Sequence, residues 1–218
     1  MPGAPVLDEI RIIIEDIGKG GGNEPPSGGD GDKRRRPAPP SPRRYYTGIA
    51  LGIVSIFMFF MALASAYLVQ RTRSDRWVPV HVPAILWLNT MILLASSVTM
   101  EQARKRLSLA DLSGFRALWM VTTLLGLAFL AGQLAAWRLL VAQGIYVATN
   151  QGSSFFYIFT AVHGAHLVGG ITALIYVYRR NFETANVSLS TAAEVTSYYW
   201  HFMDGLWVFL LALLYLGK

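Results

Sequence analysis

Five apolar runs, residues 48–69, 83–100, 117–141, 154–178 and 195–216, decide what this chain can fold into. At about 1.5 Å per residue each can cross a hydrocarbon core about 30 Å thick, the second only narrowly. None shows the alternation of a half-buried strand. A backbone surrounded by lipid must satisfy its own polar groups, as a helix or a closed barrel. The pattern therefore predicts an all-α integral membrane bundle of five transmembrane helices. Only 15% of the residues are charged, against roughly 25% in soluble domains, so a water-soluble globule is excluded. The chain has no cysteine, which rules out disulfides, thiolate metal sites and iron–sulfur clusters.

The chain divides into a tail, residues 1–46, and a membrane domain, residues 47–218. In the tail Leu7, Ile10, Ile13, Ile14 and Ile17 recur at helical spacing among charges. That pattern is read as a marginal helix or short strand, with a docking segment as the alternative. Residues 18–31 read as a glycine-rich flexible linker and residues 37–42 as a stiff, proline-rich one. No signal peptide is expected, because this stretch is polar, charged and glycine-rich. Lys33 to Arg36, Arg43 and Arg44 precede the first apolar run. Arg104, Lys105, Arg106 and Arg116 follow the second, and Arg179 and Arg180 the fourth. By the positive-inside rule these regions share the cytoplasmic side, placing the N-terminus inside and the C-terminus outside. Arg71, Arg73 and Arg76 are the discordant group. The net charge of +6 reflects these membrane-edge clusters, so nucleic acid is not an expected partner.

Ionisable side chains at membrane depth are costly and tend to be functional. The last run carries His201 and Asp204, three residues apart on one helix face, with Tyr198, Tyr199, Trp200 and Trp207 around them. The fourth carries His163 and His166, also on one face, and a stripe of Ala161, Ala165, Gly169 and Ala173 that predicts a tightly packed interior helix. The third carries Gln133, able to hydrogen-bond between helices, and Arg138, expected to snorkel. Glu101 is expected at headgroup level, near Arg104 and Lys105, as a solvated charge. Each histidine has a packing reading and a ligand reading. Asp204 is read either as a paired structural carboxylate or as a proton-carrying or lipid-binding group. Depth argues against a haem between the last two helices: His166 lies about 18 Å and His201 about 9 Å above the cytoplasmic boundary. Asp204, at about 14 Å, is expected to face the fourth helix and find a partner near His166. No hydrolytic triad, phosphate loop or zinc spacing is present.

Tyr199-Trp200-His201-Phe202-Met203-Asp204, with Trp207 and Phe209, resembles the last helix of subunit III of haem-copper oxidases. His163-Gly164-Ala165-His166-Leu167, preceded by Gly152-Ser153-Ser154-Phe155-Phe156, resembles that family's penultimate helix. Leu88-Asn89-Thr90 with Leu93-Leu94-Ala95-Ser96-Ser97 resembles an earlier one, and Gln133 stands where the family has its glutamine. The matches run in order over residues 48–218. The resemblance implies a five-helix form in a bacterial inner (plasma) membrane. It implies no cofactor in this chain, with the haems and copper in partner subunits, and bound phospholipids. Subunit I is the implied main partner, then subunit II, a small subunit IV and a wider respiratory supercomplex. The implied role is to stabilise subunit I, hold lipids and support proton uptake while the complex reduces oxygen to water and translocates protons. Gln133, His163, His166, Trp200, His201 and Asp204 become lipid-facing, interface or buried polar anchors, and no residue is catalytic. His201 and Asp204 in particular are expected to lock the fifth helix to the fourth.

The donor suggested by Ser65-Ala66-Tyr67 and Leu88-Asn89-Thr90 is cytochrome c, with a quinol oxidase as the alternative. A small proton-coupled carrier using His166 and Asp204 is the reading from another class; the absence of an inverted repeat weighs against it. Two departures matter. Ile56 and Ala136 stand where many members have buried glutamates, which weakens a proton-relay role and strengthens the structural one.

Overall fold

The computed structural model describes residues 42–73, 84–180 and 187–216. Expectations about residues 1–41, including the docking segment and linkers, lie outside them. Five helices follow one another: α1 (Pro42–Arg73), α2 (Ile85–Ser108), α3 (Leu112–Ala142), α4 (Gln151–Arg180) and α5 (Val187–Leu216). The bundle is all-α, as the apolar runs predict.

The helices outrun the apolar runs because helical hydrogen bonding continues into polar sequence until a stop signal ends it. The run that ends at Met100 continues as helix through Glu101, Arg104 and Lys105 to Ser108. Arg104 and Glu101, three residues apart, pair there at 3.1 Å. Ala110 then turns the chain with φ 59°, and Asp111 caps α3 by accepting from the Gly114 N–H at 2.9 Å. The α3–α4 turn is set by Gly144 at φ 76° and by Asn150, whose side chain accepts from the Ser153 N–H at 2.7 Å.

Four of the described helices, α1, α3, α4 and α5, are long and apolar enough to cross a membrane. α2 falls short by composition, in line with its narrow apolar run. Its polar residues explain how it still belongs to the bundle. Asn89, Thr90 and Ser96 are buried with Leu86, Leu93 and Met100, so its polar atoms face protein rather than lipid. α2 packs most extensively on α3 and also against α5; α4 packs on α3 and α5; α1 lies on α5 and α4.

One expectation fails within α4. Ala161, Ala165 and Gly169 are exposed and Ala173 is half-buried, so the small-residue stripe does not make the internal contacts. The interior face is Phe156, Thr160, His163, Leu167, Gly170 and Leu174. Close approach depends on other glycines. A Cβ at Gly126 of α3 would stand 2.7 Å from the Trp200 ring, and one at Gly170 of α4 would stand 3.1 Å from Tyr199 and 3.3 Å from Trp200. The Trp200 indole fills the notch these two glycines leave.

Candidate functional site: a polar seam between α2 and α5

Residues 200, 204 and 207 of α5 form one stripe at helical spacing. Its two indoles point their N–H groups at α2. Trp200 Nε1 donates to Ser96 Oγ at 3.0 Å, and Trp207 Nε1 donates to Thr90 Oγ1 at 3.1 Å. Each hydroxyl is itself anchored, donating to a carbonyl of its own helix: Ser96 to Leu93 O at 2.6 Å and Thr90 to Leu86 O at 2.8 Å. Bonds of this kind in a membrane contribute about 0.6 kcal/mol each, and their geometry sets the register of the two helices. The Trp207 ring also packs edge-on against Phe129 of α3 at 4.8 Å and tilted against His163 of α4 at 5.1 Å. Trp207 thus touches three other helices.

Next to this stripe lies His201. Its Nδ1 shares a hydrogen bond with Ser97 Oγ at 2.6 Å, and its Nε2 stands 4.0 Å from Glu101 Oε2. Asp204 is 4% exposed, and neither carboxyl oxygen has a hydrogen-bond partner among the described residues. The Ser97 hydroxyl is engaged by His201 instead.

Beyond Glu101 the seam opens into a polar cluster at the helix ends. Arg104 pairs with Glu101 at 3.1 Å and Glu194 at 3.7 Å. Glu194 accepts hydroxyls from Tyr46 of α1 at 2.7 Å and Tyr198 at 3.0 Å. The Arg104 guanidinium also lies 5.6 Å from the Tyr198 ring centroid, a cation–π distance. A pocket of about 310 Å³ opens here, lined by Glu101, Arg104, Lys105, Ser108, Ser190 and Glu194 among others. At the α2–α3 turn the Gly114 N–H, the Ser113 hydroxyl and the Arg106 guanidinium hold the Asp111 carboxyl below the usual carboxylate range.

These contacts correct two expectations. Asp204 does not meet His166. His166 engages Val162 O through Nδ1 at 2.8 Å and packs against Phe60 of α1 at 5.7 Å, whereas Asp204 lies on the stripe that faces α2. His201 therefore ties α5 to α2, not to α4, and Asp204 makes no hydrogen bond to either helix. The α4–α5 link is made by their neighbour Tyr199, whose hydroxyl donates to His166 O at 2.8 Å. Glu101 lies beside Arg104, as expected, and pairs with it while staying 44% exposed. His163 is fully buried between Phe129 and Trp207, with both ring nitrogens unpartnered among the described residues. Gln133 is buried with both amide atoms likewise unpartnered. It lies one turn from Phe129, which touches His163, and one turn from Trp137, which donates to Thr160 at 3.0 Å. Gln133 and His163 thus share a level at the α3–α4 contact. Arg138 is exposed, as a snorkelling side chain would be.

Ser97 and Glu194 are members that residue-type reasoning passed over. Ser97 had a signal, since it follows Ser96 one helix turn before Glu101. Glu194 stands just outside the apolar run and so carried no depth signal. Among the described residues no three His, Asp or Glu side chains gather in a way that could hold a metal ion. The site offers hydrogen bonding, helix registration and proton-bearing groups.

The profile of the family described as cytochrome c oxidase subunit III matches residues 42–217 of the chain. A protein of Nocardia farcinica named probable cytochrome c oxidase subunit 3 is 34% identical over 179 residues, covering 80% of this chain and 88% of its own. A protein of the same name from Mycobacterium tuberculosis is 31% identical over 179 residues with the same coverage. Cytochrome c oxidase subunit 3 of Synechocystis is 30% identical over 175 residues, covering 78% of this chain and 74% of its own.

Proposed function

The chain belongs to the cytochrome c oxidase subunit III family, and from that premise we propose that it is the non-redox subunit III of a cytochrome c-oxidising haem-copper terminal oxidase. It is a multi-pass membrane protein and a subunit of an oxidoreductase complex with other oxidase subunits. The finer reading places it in the bacterial plasma membrane, N-terminus inside, beside a subunit I that carries the haems and copper. There it stabilises subunit I, holds phospholipids and supports proton uptake.

One observation carries this reading: the family match spans α1 to α5 without interruption. The cytochrome c donor is supported by the names its relatives bear. The stabilising role is supported by a buried seam in which indoles and hydroxyls fix helix register. The lipid role is supported by the exposed apolar side chains of α1, among them Leu51, Val54 and Met58. The test is affinity purification of the tagged chain in mild detergent. A complex with haem and copper absorbance, this chain at equal stoichiometry and oxygen consumption driven by cytochrome c is expected. An isolated chain with proton-coupled transport activity, or a complex driven only by quinol, overturns it.

A further inference from the structure

A chain of groups, each able both to give and to take a proton, runs along the α2–α5 seam from the helix ends inward. It starts at Glu101, whose side chain is 44% exposed and lines the open polar pocket. Next is His201, with Nε2 at 4.0 Å from Glu101 and Nδ1 at 2.6 Å from Ser97 Oγ. Asp204 stands one turn further along the same seam, between Trp200, bonded to Ser96, and Trp207, bonded to Thr90. Glu101 and Ser97 are four residues apart on α2, and His201 and Asp204 three apart on α5, so two helical faces bring the four groups into one file. The chain ends at a carboxyl that is 4% exposed with both oxygens unpartnered among the described residues. A structural carboxylate at this depth would have its oxygens satisfied, because an unpaired buried polar group is expensive and a charged one more so. His201 is placed unlike a packing histidine too. It is half-buried, with one nitrogen toward the aqueous end and the other toward the interior, whereas His163 is wholly enclosed by aromatic rings.

We infer that Asp204 is a buried proton-exchange site, loaded from the α2 C-terminal face through Glu101, His201 and Ser97. The ligand is a proton, and the steps balance. A proton from water at Glu101 reaches His201 Nε2, across the 4.0 Å gap by one bridging water or a small side-chain movement. The Nδ1–H passes to Ser97 Oγ, and the Ser97 O–H passes to Asp204 through one bridging water or a rotation of the two side chains. A change of imidazole tautomer resets the file. Among the described residues the charged and titratable groups around this path are Glu101, Arg104 and Lys105 on α2, Glu194 and Tyr198 on α5, and Tyr46 on α1; Arg104 sits between Glu101 and Glu194 at the entrance. This path deepens the proton-uptake role proposed above and rests on that reading for its use to the complex, while the exchange is a property of the chain's own residues.

The test is infrared spectroscopy of the intact purified complex in lipid nanodiscs, comparing wild type with Asp204→Asn to isolate the carbonyl stretch of a protonated Asp204. A band that appears as pH is lowered and shifts promptly in D₂O is expected. His201→Phe and Ser97→Ala should keep the band but slow its deuteration by roughly 10²-fold or more. Ser97→Thr, which retains the hydroxyl, should restore the rate. Absence of any Asp204-dependent band across the accessible pH range overturns the inference. So does deuteration at the wild-type rate in both His201→Phe and Ser97→Ala. Haem absorbance and subunit ratio are read on the same samples, so an intact oxidase with unaffected exchange overturns the path and leaves the subunit assignment standing.

Discussion

Trp200 donates its indole N–H to Ser96 across the α2–α5 seam at 3.0 Å, and its ring occupies the space that Gly126 and Gly170 leave open. One side chain thereby meets three other helices: α2 by hydrogen bond, α3 and α4 by glycine notches. Adding a methyl group at Gly126 forces the indole to shift, because a Cβ there would stand 2.7 Å from its ring atoms, and at Gly170 the Tyr199 and Trp200 rings must give by a few tenths of an ångström. Gly126→Ala and Gly170→Ala should each destabilise the chain by about 1–3 kcal/mol, the usual range for overpacking a filled core. Gly52→Ala on α1, where nothing lies within 4 Å, should be neutral or slightly stabilising, since alanine favours helix. Thermal unfolding in detergent, with all three variants in one series, checks both the sign and the contrast.

The Trp207–Thr90 hydrogen bond allows a quantitative test. Trp207→Phe removes the donor and keeps most of the ring that packs on Phe129 and His163. Thr90→Val removes the acceptor at nearly constant shape. A double-mutant cycle should give a coupling of about 0.6 kcal/mol, and less than about 2 kcal/mol, as for other hydrogen bonds between membrane helices. A cycle measured by equilibrium unfolding that returns zero coupling would show that the indole is held by packing alone.

The number and order of the helices were legible in the chain because hydropathy is a one-body property: each run declares its need for lipid without reference to its neighbours. Helix length was less legible, since α2 and α5 each continue well into polar sequence. What stops them is turn chemistry, such as Asp111 at the start of α3, not the end of apolarity. The polar anchors were legible as individual residues but not as pairs. His201 and Asp204 stood out by depth, yet which helix they face, and so the partners of His201 on α2, depend on how α5 is rotated about its axis. That rotation is set by Trp200 seating between Gly126 and Gly170, a contact among four helices that no single segment encodes. The same rotation explains why the small-residue stripe of α4 failed as a guide. Small residues permit close approach but do not say which neighbour arrives, and on α4 only Gly170, outside that stripe, meets α5 closely.

Asp111 gives a pH prediction outside the membrane. Its carboxyl is held low first by the Gly114 N–H, then by Ser113 and Arg106. A carboxyl depressed in the folded state contributes stability above its unfolded value and loses that contribution as pH falls through its folded value. The α2–α3 turn should therefore be fully capped near neutrality and loosen only below the ordinary aspartate range of about 3.9. Hydrogen exchange at the Gly114 amide, corrected for intrinsic rates, should show protection unchanged from neutral pH down to that range and falling beneath it. Asp111→Ala should remove the protection at every pH, and Asp111→Asn should retain part of it without the pH dependence, because asparagine also caps helices.

Hydrophobic carbodiimides seek protonated carboxyls that lipid-soluble reagents can reach. α1 carries no Asp or Glu from Pro42 to Arg73. Peptides from α1 should therefore stay unmodified. Asp204 is the buried carboxyl that remains in the described membrane interior, with both oxygens unpartnered among the described residues. Its burial beneath Trp200 and Trp207 limits access, so any modification should map to α5 and develop slowly. It should accelerate in Trp200→Ala, which opens the seam above the carboxyl. Peptide mass mapping of the treated complex decides the matter. A label on α1 would contradict the sequence outright, and fast labelling of Asp204 in the unaltered protein would mean that the α2–α5 seam opens far more often than its two indole hydrogen bonds imply.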